Sequence, residues 1–365
     1  MQAALGLAQR GLGQVSPNPS VGCILVRPDL GNRVVGRGWT KPGGRPHAET
    51  EALRRAGNLA KGATAYVTLE PCSHTGQTPP CADALINANI KRVVIAMLDP
   101  DPRVSGRGIE KLKKAGLKVK IEVLKYDSEQ INIGFITKIQ LFRPSFSWKT
   151  ATSLDGKIAT TSGHSKWITE PEARQVGHLL RAKNDAVIIG IGTALADNPD
   201  LTCRLPGCRE ISPIRIVVDS QLRLPLTHEL VLSAHQFETW IITSKKPNTV
   251  KATALQNAGV SIFKCDKSSD GYLDIKKMSQ TLAEKGLTRV LIEGGAELSS
   301  SFLKHDLVDQ IYWFRAPKII GSDGVSAAKH LNILTIKDTR AFTQRGTYDI
   351  GPDRLEIYSR NRAET

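Results

Sequence analysis

The feature that most constrains the fold of this chain is a His-x-Glu element followed by two Pro-Cys pairs. One residue separates His47 from Glu49, and Cys72 and Cys81 each follow a proline. Two thiolates and an imidazole can hold Zn²⁺ at three of its four tetrahedral positions, which leaves the fourth for water. Zinc lowers the pKa of that water enough to supply hydroxide near neutral pH. We therefore expect a fold that gathers these ligands, with Glu49 close enough to shuttle the proton.

The spacing of the two cysteines narrows this prediction. The order His-x-Glu, Pro-Cys, Cys is the signature of zinc-dependent nucleobase deaminases, in which two residues commonly separate the cysteines. Here eight residues, 73–80, separate them, and their polar, turn-forming composition predicts a loop. Cys72 would then follow a strand at 65–69. Cys81 would begin a helix, and a helix amino terminus favours thiolate over thiol.

Each part of this pattern also has a simpler explanation. A His-x-Glu element occurs by chance, and two cysteines can form a disulfide or act as small buried hydrophobic residues. His74 lies in the insert between the cysteines and is an alternative third ligand. We favour His47 because it has the motif context and His74 does not.

The length of 365 residues predicts two domains. Alternating strand and helix patterns in the first part predict a layered α/β domain. Phe142-Arg143-Pro144 interrupts this pattern, so we place the boundary between domains 1–143 and 144–365. The expected elements of the first domain are strands at 21–26, 34–38, 65–69, 93–97 and 117–123 and helices at 47–56, 81–88, 108–115 and 129–141.

The second part predicts another α/β domain, with two glycine turns after strands. The expected elements are a helix at 171–181 and strands at 186–189, 214–219, 239–243, 260–263 and 289–293. The turns are Gly190-Ile191-Gly192-Thr193 and Gly294-Gly295, and the second one leads into a helix. Backbone can approach a phosphate closely at such a turn, and a helix amino terminus offers free N–H donors. A single turn of this kind can be only a tight connection, but two in one domain favour a phosphate or dinucleotide site.

Composition excludes several classes of protein. No apolar run approaches the roughly eighteen residues of a membrane span, and the first residues lack the basic and apolar regions of a secretory signal. The six cysteines are sparse and unevenly spaced, unlike a disulfide framework. We therefore expect a cytoplasmic protein with no membrane partner. The net charge of +15 suits anionic ligands, which include nucleic acid and phosphorylated metabolites.

Motifs along nearly the whole chain resemble one family, the bifunctional riboflavin-biosynthesis deaminase/reductases. In the first domain they are Pro17-Asn18-Pro19, Val21-Gly22, His47-Ala48-Glu49, Glu70-Pro71-Cys72-Ser73-His74, Thr78-Pro79-Pro80-Cys81, Asp99-Pro100 and Gly106-Arg107-Gly108. In the second they are Ser153-Leu154-Asp155-Gly156-Lys157, Ser165-Lys166-Trp167-Ile168-Thr169, Leu180-Arg181, the segment 193–202, Val218-Asp219-Ser220 and Glu293-Gly294-Gly295. Asn198 departs from the family, which commonly has Asp there, but the neighbouring Asp197 is retained.

The resemblance implies a cytidine-deaminase-like three-layer α/β/α domain followed by a dihydrofolate-reductase-like α/β domain. It also implies two consecutive reactions and two cofactors, Zn²⁺ and NADPH. The first reaction hydrolyses an amine from 2,5-diamino-6-ribosylamino-4(3H)-pyrimidinone 5′-phosphate. The second reduces the ribosyl group to ribityl and gives 5-amino-6-ribitylamino-uracil 5′-phosphate. The implied partner is thus a phosphorylated pyrimidine, and we expect a homo-oligomer.

The resemblance also implies the residues that carry out these reactions. Glu49 is the expected catalytic proton shuttle, and the expected zinc ligands are His47, Cys72 and Cys81. The implied NADPH contacts are Ala151, Trp167, Thr193, Asp197, Ser220, Gly295, Ala296, Glu297, Leu298, Ser299, Ser300 and Ser301. The implied substrate contacts are Asn18, Ser165, Arg181, Leu201, Arg204 and Glu293. Guanidinium groups bind phosphate bidentately, so Arg181 and Arg204 suit the substrate phosphate.

Two other functions are compatible with parts of the sequence. A nucleic-acid deaminase would share the zinc motif and the basic charge. The long insert between the cysteines and the low aromatic content, 5%, argue against nucleic acid as a partner. Alternatively, the second domain could serve only structure or assembly. Its paired glycine turns and the nearby Asp197, Arg181 and Arg204 argue against this alternative.

Overall fold

A computed structural model describes residues 1–74, 79–102 and 104–360 of the chain. It divides the chain into two units, residues 1–143 and 144–365. Part of the predicted loop between the cysteines, residues 75–78, lies outside the described residues. None of the helices within the described ranges is long and apolar enough to cross a membrane.

Unit 1 is built on a mixed five-stranded sheet. Its strands are β1 (Gly22–Arg27), β2 (Arg33–Trp39), β3 (Thr64–Val67), β4 (Arg92–Ile95) and β5 (Lys118–Lys120). They lie in the order β2-β1-β3-β4-β5. β1 is antiparallel to both of its neighbours, whereas β3, β4 and β5 run parallel. The expected strands are therefore present, but the last one is shorter than the predicted 117–123.

Helices cover both faces of this sheet. They are α1 (Gln2–Ala8), α2 (Ala48–Ala56), α3 (Cys81–Asn87), α4 (Arg107–Lys114), α5 (Lys125–Ile131) and α6 (Ile133–Leu141). Gly22 faces α1, while Gly36 and Gly38 face α2 from the other side of the sheet. A Cβ at Gly38 would lie 2.1 Å from the carbonyl oxygen of Ala48, so only glycine lets the start of α2 approach β2 this closely.

The prediction of one continuous closing helix at 129–141 is wrong. Two helices, α5 and α6, occupy this region, and Asn132 lies between them with φ −99° and ψ 14°. The Asn132 side chain accepts a hydrogen bond from the Ser20 amide at 2.9 Å and donates to the Ser128 carbonyl oxygen. An asparagine that bonds to backbone in this way competes with the helical hydrogen-bond pattern, and the helix therefore breaks there.

Unit 2 contains a nine-stranded sheet and a separate two-stranded sheet. Its strands are β6 (Ser145–Thr152), β7 (Lys157–Ala159), β8 (Ala186–Gly190), β9 (Ile214–Val218), β10 (Thr239–Ser244), β11 (Ser261–Cys265), β12 (Arg289–Ile292), β13 (Val308–Arg315), β14 (Val325–Ser326), β15 (Phe342–Ile350) and β16 (Asp353–Arg360). The large sheet has the order β11-β10-β9-β8-β12-β6-β13-β16-β15, and β7 pairs with β14. The first seven strands of that order run parallel to one another. β16 is antiparallel to β13, and β15 is antiparallel to β16.

Helices also cover both faces of the large sheet. They are α7 (Pro171–Ala182), α8 (Ile191–Asp197), α9 (Glu229–Leu232), α10 (Thr249–Asn257), α11 (Ile275–Glu284) and α12 (Ala296–Lys304). The position of β8 in the sheet explains why its sequence is an unbroken apolar run. Ile188 packs with Met278 and Phe302 on one face, while Val187 and Ile189 belong to the core on the other face. A central parallel strand is buried on both sides, so its residues do not alternate.

All five strands and the helix predicted for unit 2 are present. The C-terminal strands β13, β15 and β16 are not among the predicted elements. β15 is exposed or half-buried along its whole length, because it forms the edge of the sheet. It therefore lacks the buried apolar pattern on which strand prediction depends.

Candidate functional site

Three side chains of unit 1 converge at the amino ends of two helices. His47 caps α2, Cys81 is the first residue of α3, and Cys72 follows β3. His47 Nδ1 lies 3.7 Å from Cys72 Sγ and 3.3 Å from Cys81 Sγ. All three ligand atoms lie within 4.8 Å of one another. One imidazole nitrogen and two sulfurs in this arrangement fit the donor set of a zinc site with an open fourth position.

The alternative ligand, His74, is not part of this group. Its side chain is exposed, and it is absent from the one His/Cys group that the described residues form. The structure therefore brings together His47, Cys72 and Cys81, the residues that the motif predicts.

The two sulfurs shift each other's pKa in opposite directions. A hydrogen bond from Cys81 lowers the pKa of Cys72 to about 4, with further help from His47. The same hydrogen bond, together with burial, raises the pKa of Cys81 far above its ordinary value. The backbone amide of Cys81 also donates to Cys72 Sγ at 3.2 Å. Zinc ligation requires both thiols to be deprotonated, so metal binding would displace any proton that remains on the Cys81 sulfur.

Glu49 lies beside this group in the first turn of α2. Its side chain is buried, and its carboxyl is within hydrogen-bonding reach of the Cys81 thiol. Burial raises the pKa of Glu49 to about 7, and the charge of Cys72 adds to this effect. A carboxyl group with a pKa near neutrality can both accept and return a proton.

Two further residues of the sequence motifs contact segments that lie close to the predicted zinc ligands in the chain. Asn18 is half-buried against Gly44, where a Cβ would lie 1.9 Å from Asn18 Nδ2. Glu70 is buried, and its carboxylate accepts hydrogen bonds from four backbone amides in the segment 99–109, at 2.9–3.3 Å. Glu70 thus fastens this segment beside Cys72. The sequence motif includes Glu70 but predicts no role for it.

In unit 2, four predicted residues lie at the carboxyl ends of adjacent parallel strands. Ala151 is near the end of β6, Thr193 follows β8, Ser220 follows β9 and Glu293 follows β12. The crevice outside such strand ends is the usual ligand site of open α/β sheets. The Gly295 amide donates to Thr193 Oγ1 at 2.9 Å, which joins the two predicted glycine turns.

The joined turns leave room for a phosphate-bearing cofactor. A Cβ at Gly192 would meet no atom within 4 Å, so this turn borders open space. Gly295 caps the nine-residue helix α12, whose amino terminus offers backbone donors to an anion. These features fit the phosphates of a dinucleotide.

Arg181 and Glu293 form a nearly buried bidentate ion pair. Arg181 Nε and Nη2 donate to the Glu293 carboxylate oxygens at 2.7 and 2.9 Å, and Nη1 donates to the Thr202 carbonyl oxygen at 3.0 Å. Burial opposes ionisation of Glu293, but the charge and hydrogen bonds of Arg181 outweigh it and lower the pKa of Glu293 to about 2. Most of the Arg181 fork is therefore already engaged.

Arg204 lies on the loop that follows Leu201. Leu201 is buried, whereas Arg204 is exposed and its amide donates to His178 Nδ1 at 3.3 Å. Within the described residues, the Arg204 side chain has no hydrogen bond or ion pair. His178 is close enough to both Arg181 and Arg204 for their charges to help burial lower its pKa. Arg204 is thus the more available of the two predicted guanidinium groups.

The remaining predicted contacts lie on three other segments. Ser165 and the exposed Trp167 precede α7, and Arg174 stacks on the Trp167 ring at 4.4 Å. Asp197 is the exposed last residue of α8. The others belong to α12 and are Ala296, Glu297, Leu298, Ser299, Ser300 and Ser301. The Ser299 hydroxyl donates to the backbone carbonyl of residue 327, and the Ser300 hydroxyl accepts from the backbone amide of residue 329. Glu297 forms an ion pair with Lys329.

Lys149 was not among the predicted contacts. It lies on β6, burial lowers its pKa, and the charges of Glu293 and Arg181 act on it. A half-buried lysine inside the mostly buried strand Ser145–Thr152 is the signal that could have identified it, because lysines seldom lie in such strands without a partner.

Comparisons with known proteins agree with both halves of this description. Residues 1–97 match the cytidine and deoxycytidylate deaminase zinc-binding region, and residues 144–354 match the RibD C-terminal domain. The riboflavin biosynthesis protein RibD of Aquifex aeolicus is 41% identical over 99% of this chain and 97% of its own length. That of Escherichia coli is 38% identical over 97% of this chain and 96% of its own length.

Solved structures give the same result. RibD of Acinetobacter baumannii superposes with a TM-score of 0.87 at 36% identity and covers 99% of this chain and 98% of its own. A Thermotoga maritima protein, named as a diaminohydroxyphosphoribosylaminopyrimidine deaminase/5-amino-6-(5-phosphoribosylamino)uracil reductase, superposes with a TM-score of 0.85 at 33% identity over 99% of this chain and 97% of its own. The expected fold class, a cytidine-deaminase-like domain followed by a dihydrofolate-reductase-like domain, is confirmed. The chain belongs to the RibD family of riboflavin biosynthesis, whose members combine a zinc-dependent pyrimidine deaminase with an NADPH-dependent reductase.

Proposed function

We propose that residues 1–143 carry out the deamination of the family and that residues 144–365 carry out the reduction. The observation that carries this division is the placement of the chemical groups. The His47, Cys72 and Cys81 group and the buried Glu49 lie together in unit 1. The joined glycine turns and the Arg181–Glu293 pair lie in unit 2.

In the deamination, His47, Cys72 and Cys81 would hold zinc, which activates a water molecule when bound. Glu49 would accept one proton from the attacking water and pass it to the pyrimidine ring nitrogen, and would then take the second proton of that water and pass it to the departing amine. Its pKa of about 7 suits both transfers. Asn18, half-buried beside the turn that leads to His47, holds the pyrimidine edge through its amide.

In the reduction, NADPH supplies the reducing equivalents when bound. The amino end of α12 and the two glycine turns bind its phosphates, and Ala151, Trp167, Asp197 and Ser220 line the rest of its path. Arg204 binds the substrate phosphate, since its guanidinium has free donors. Glu293 is held ionised by Arg181 and accepts hydrogen bonds from the substrate, with Ser165 and Leu201 as further contacts.

The substrate is a phosphorylated pyrimidine, in keeping with the family. Assembly as a homo-oligomer and a cytoplasmic location remain predictions. Sedimentation of the purified protein and cell fractionation would test them.

The division of labour is tested by assaying both half-reactions on one preparation of the full chain. Ammonia release from the diaminopyrimidine phosphate should proceed without NADPH. NADPH oxidation with supplied deaminated substrate should persist after zinc is removed by a chelator. Loss of both activities on zinc removal would contradict the proposed division.

A further inference from the structure

A fully buried arginine lies behind the loop that carries Leu201 and Arg204. Arg215 is part of β9, and its side chain has 0% exposure. Nη1 donates to the Asp200 carbonyl oxygen at 3.2 Å and to Ser233 Oγ at 2.8 Å. Nη2 donates to the Phe237 carbonyl oxygen at 2.8 Å. A buried guanidinium is costly unless hydrogen bonds satisfy it, so this arrangement needs a reason beyond filling the core.

The contacts of Arg215 continue towards the predicted substrate residues. Asp200 Oδ1 lies 3.8 Å from Arg215 Nη1, and Asp200 Oδ2 accepts a hydrogen bond from Thr202 Oγ1 at 2.6 Å. The Thr202 carbonyl oxygen in turn accepts from Arg181 at 3.0 Å, and Arg181 holds Glu293. A continuous polar path therefore connects the sheet interior to the Arg181–Glu293 pair.

The loop also has a backbone conformation that needs support. Asn198 and Leu201 have φ values of +40° and +60°. The left-handed region is tolerable for asparagine but unfavourable for leucine, so surrounding contacts must hold Leu201 there. Asn198 Oδ1 accepts a hydrogen bond from the Glu229 amide at 2.9 Å, which fixes the start of the loop. Asp200 and Arg215 provide the next point of attachment.

We propose that Arg215 is a positioning residue for the reduction, which acts through Asp200 to place the loop 200–204 and Arg181 for substrate binding. The inference rests on the proposed function of unit 2. Arg215 does not touch the substrate. Its effect falls on the affinity for the phosphorylated pyrimidine and leaves the cofactor side of the crevice unchanged, because within the described residues the hydrogen bonds of the Arg215 side chain go to Asp200 and to residues 230–239 and not to the glycine turns.

The test uses the full chain with Arg215→Lys, which keeps the charge but loses the forked geometry. We expect the KM for the deaminated pyrimidine phosphate to rise roughly tenfold, equivalent to ~1.4 kcal/mol. The KM for NADPH and the deamination rate should stay within about twofold of the unaltered values. Asp200→Ala keeps the carbonyl oxygen that accepts from Arg215 but removes the carboxylate that lies between Arg215 and Thr202, and it should give the same split.

Two controls separate this role from a general structural one. Arg209 lies 3.9 Å from Asp200 and its side chain is 54% exposed, so Arg209→Ala should leave both KM values unchanged. Combining Arg215→Lys with Asp200→Ala should raise the substrate KM no further than the larger of the two single changes, because both interrupt the same polar path. If Arg215→Lys does not fold, the two KM values of Asp200→Ala alone test the inference.

Equal rises in both KM values, or no rise in the substrate KM, would overturn the inference. The proposed function would still stand in that case, provided that the unaltered chain is active in both reactions. An unaltered chain that releases ammonia but does not reduce the deaminated product would overturn the proposed function of unit 2, and the inference with it.

Discussion

The two candidate sites of this protein are assembled in different ways. The zinc group takes its ligands from the ends of two helices and one strand within 35 residues of chain, 47–81. The site of unit 2 takes its parts from four strand ends between Ala151 and Gly295. The first site consists of three side chains that could hold one ion, with their ligand atoms within 4.8 Å of one another. The second depends on the strand order of a sheet and on a buried ion pair.

This difference predicts different consequences of substitution. A group that shares one ion loses its function when one member is lost, because no other residue supplies the missing ligand or proton. A crevice built from many elements loses binding in increments, because each contact contributes separately. The following predictions test this contrast, and those that concern catalysis include the activity of the other unit as their reference.

The largest effect is expected for the zinc ligands. Cys72→Ser and Cys81→Ser should lower the zinc content and abolish ammonia release, while reduction of supplied deaminated substrate persists. Metal analysis of the purified variants measures this. His74→Ala serves as a matched control and should retain zinc, because its side chain is exposed and outside the ligand group. Full zinc occupancy in both serine variants would mean that another group ligates the metal.

Glu49→Gln should have the next largest effect. It keeps the size of the side chain and all three ligands but removes the proton shuttle, which contributes about 10²–10⁴-fold to such reactions. Ammonia release should fall by that factor with zinc content and reduction unchanged. Near-normal ammonia release by this variant would exclude Glu49 as the proton shuttle.

The Arg181–Glu293 ion pair should make the stability of unit 2 depend on pH. The pKa of Glu293 is about 2 in the folded protein, below its ordinary 4.5. Its stabilising contribution is therefore fully present above pH 4.5 and is lost as the pH falls towards 2. Glu293→Gln leaves Arg181 without its charged partner and should destabilise unit 2 by about 3–5 kcal/mol at neutral pH.

This destabilisation can be followed by tryptophan fluorescence during denaturant unfolding, since four of the five tryptophans lie in residues 144–365. The difference between the unaltered chain and Glu293→Gln should shrink as the pH falls from 4.5. A difference that stays constant down to pH 2.5 would show that the pair contributes no pH-dependent stability.

The smallest of these effects is expected for Arg204→Ala. A charge-assisted contact contributes roughly 1.5–3 kcal/mol, so the KM of the reduction should rise by about one to two decades. Deamination should not change. Steady-state assays of both half-reactions measure this. Equal loss in both would assign Arg204 to folding or assembly, and no loss in either would exclude it as the phosphate contact.

Much of the local structure follows from the sequence alone. The His-x-Glu spacing places Glu49 in the first turn of the helix that His47 caps, and proline before Cys81 coincides with the start of α3. Apolar runs such as Ala186–Ile189 predict buried parallel strands because burial on both faces requires them. These features depend on residues close together in the chain, where helix and strand geometry determine the neighbours.

Other features exist only in the tertiary structure. The helix at 129–141 is broken because Asn132 meets Ser20, more than a hundred residues earlier in the chain. Glu293 engages Arg181, the half-buried Lys149 experiences the charges of both, and Arg215 is linked to the site through Asp200. The separation of these residues in sequence carries no periodic signal. Sequence identifies which groups are chemically able to act. Which charges are buried, paired or left free depends on the order of strands in the sheet, because electrostatic partners are set by distance in space and not along the chain.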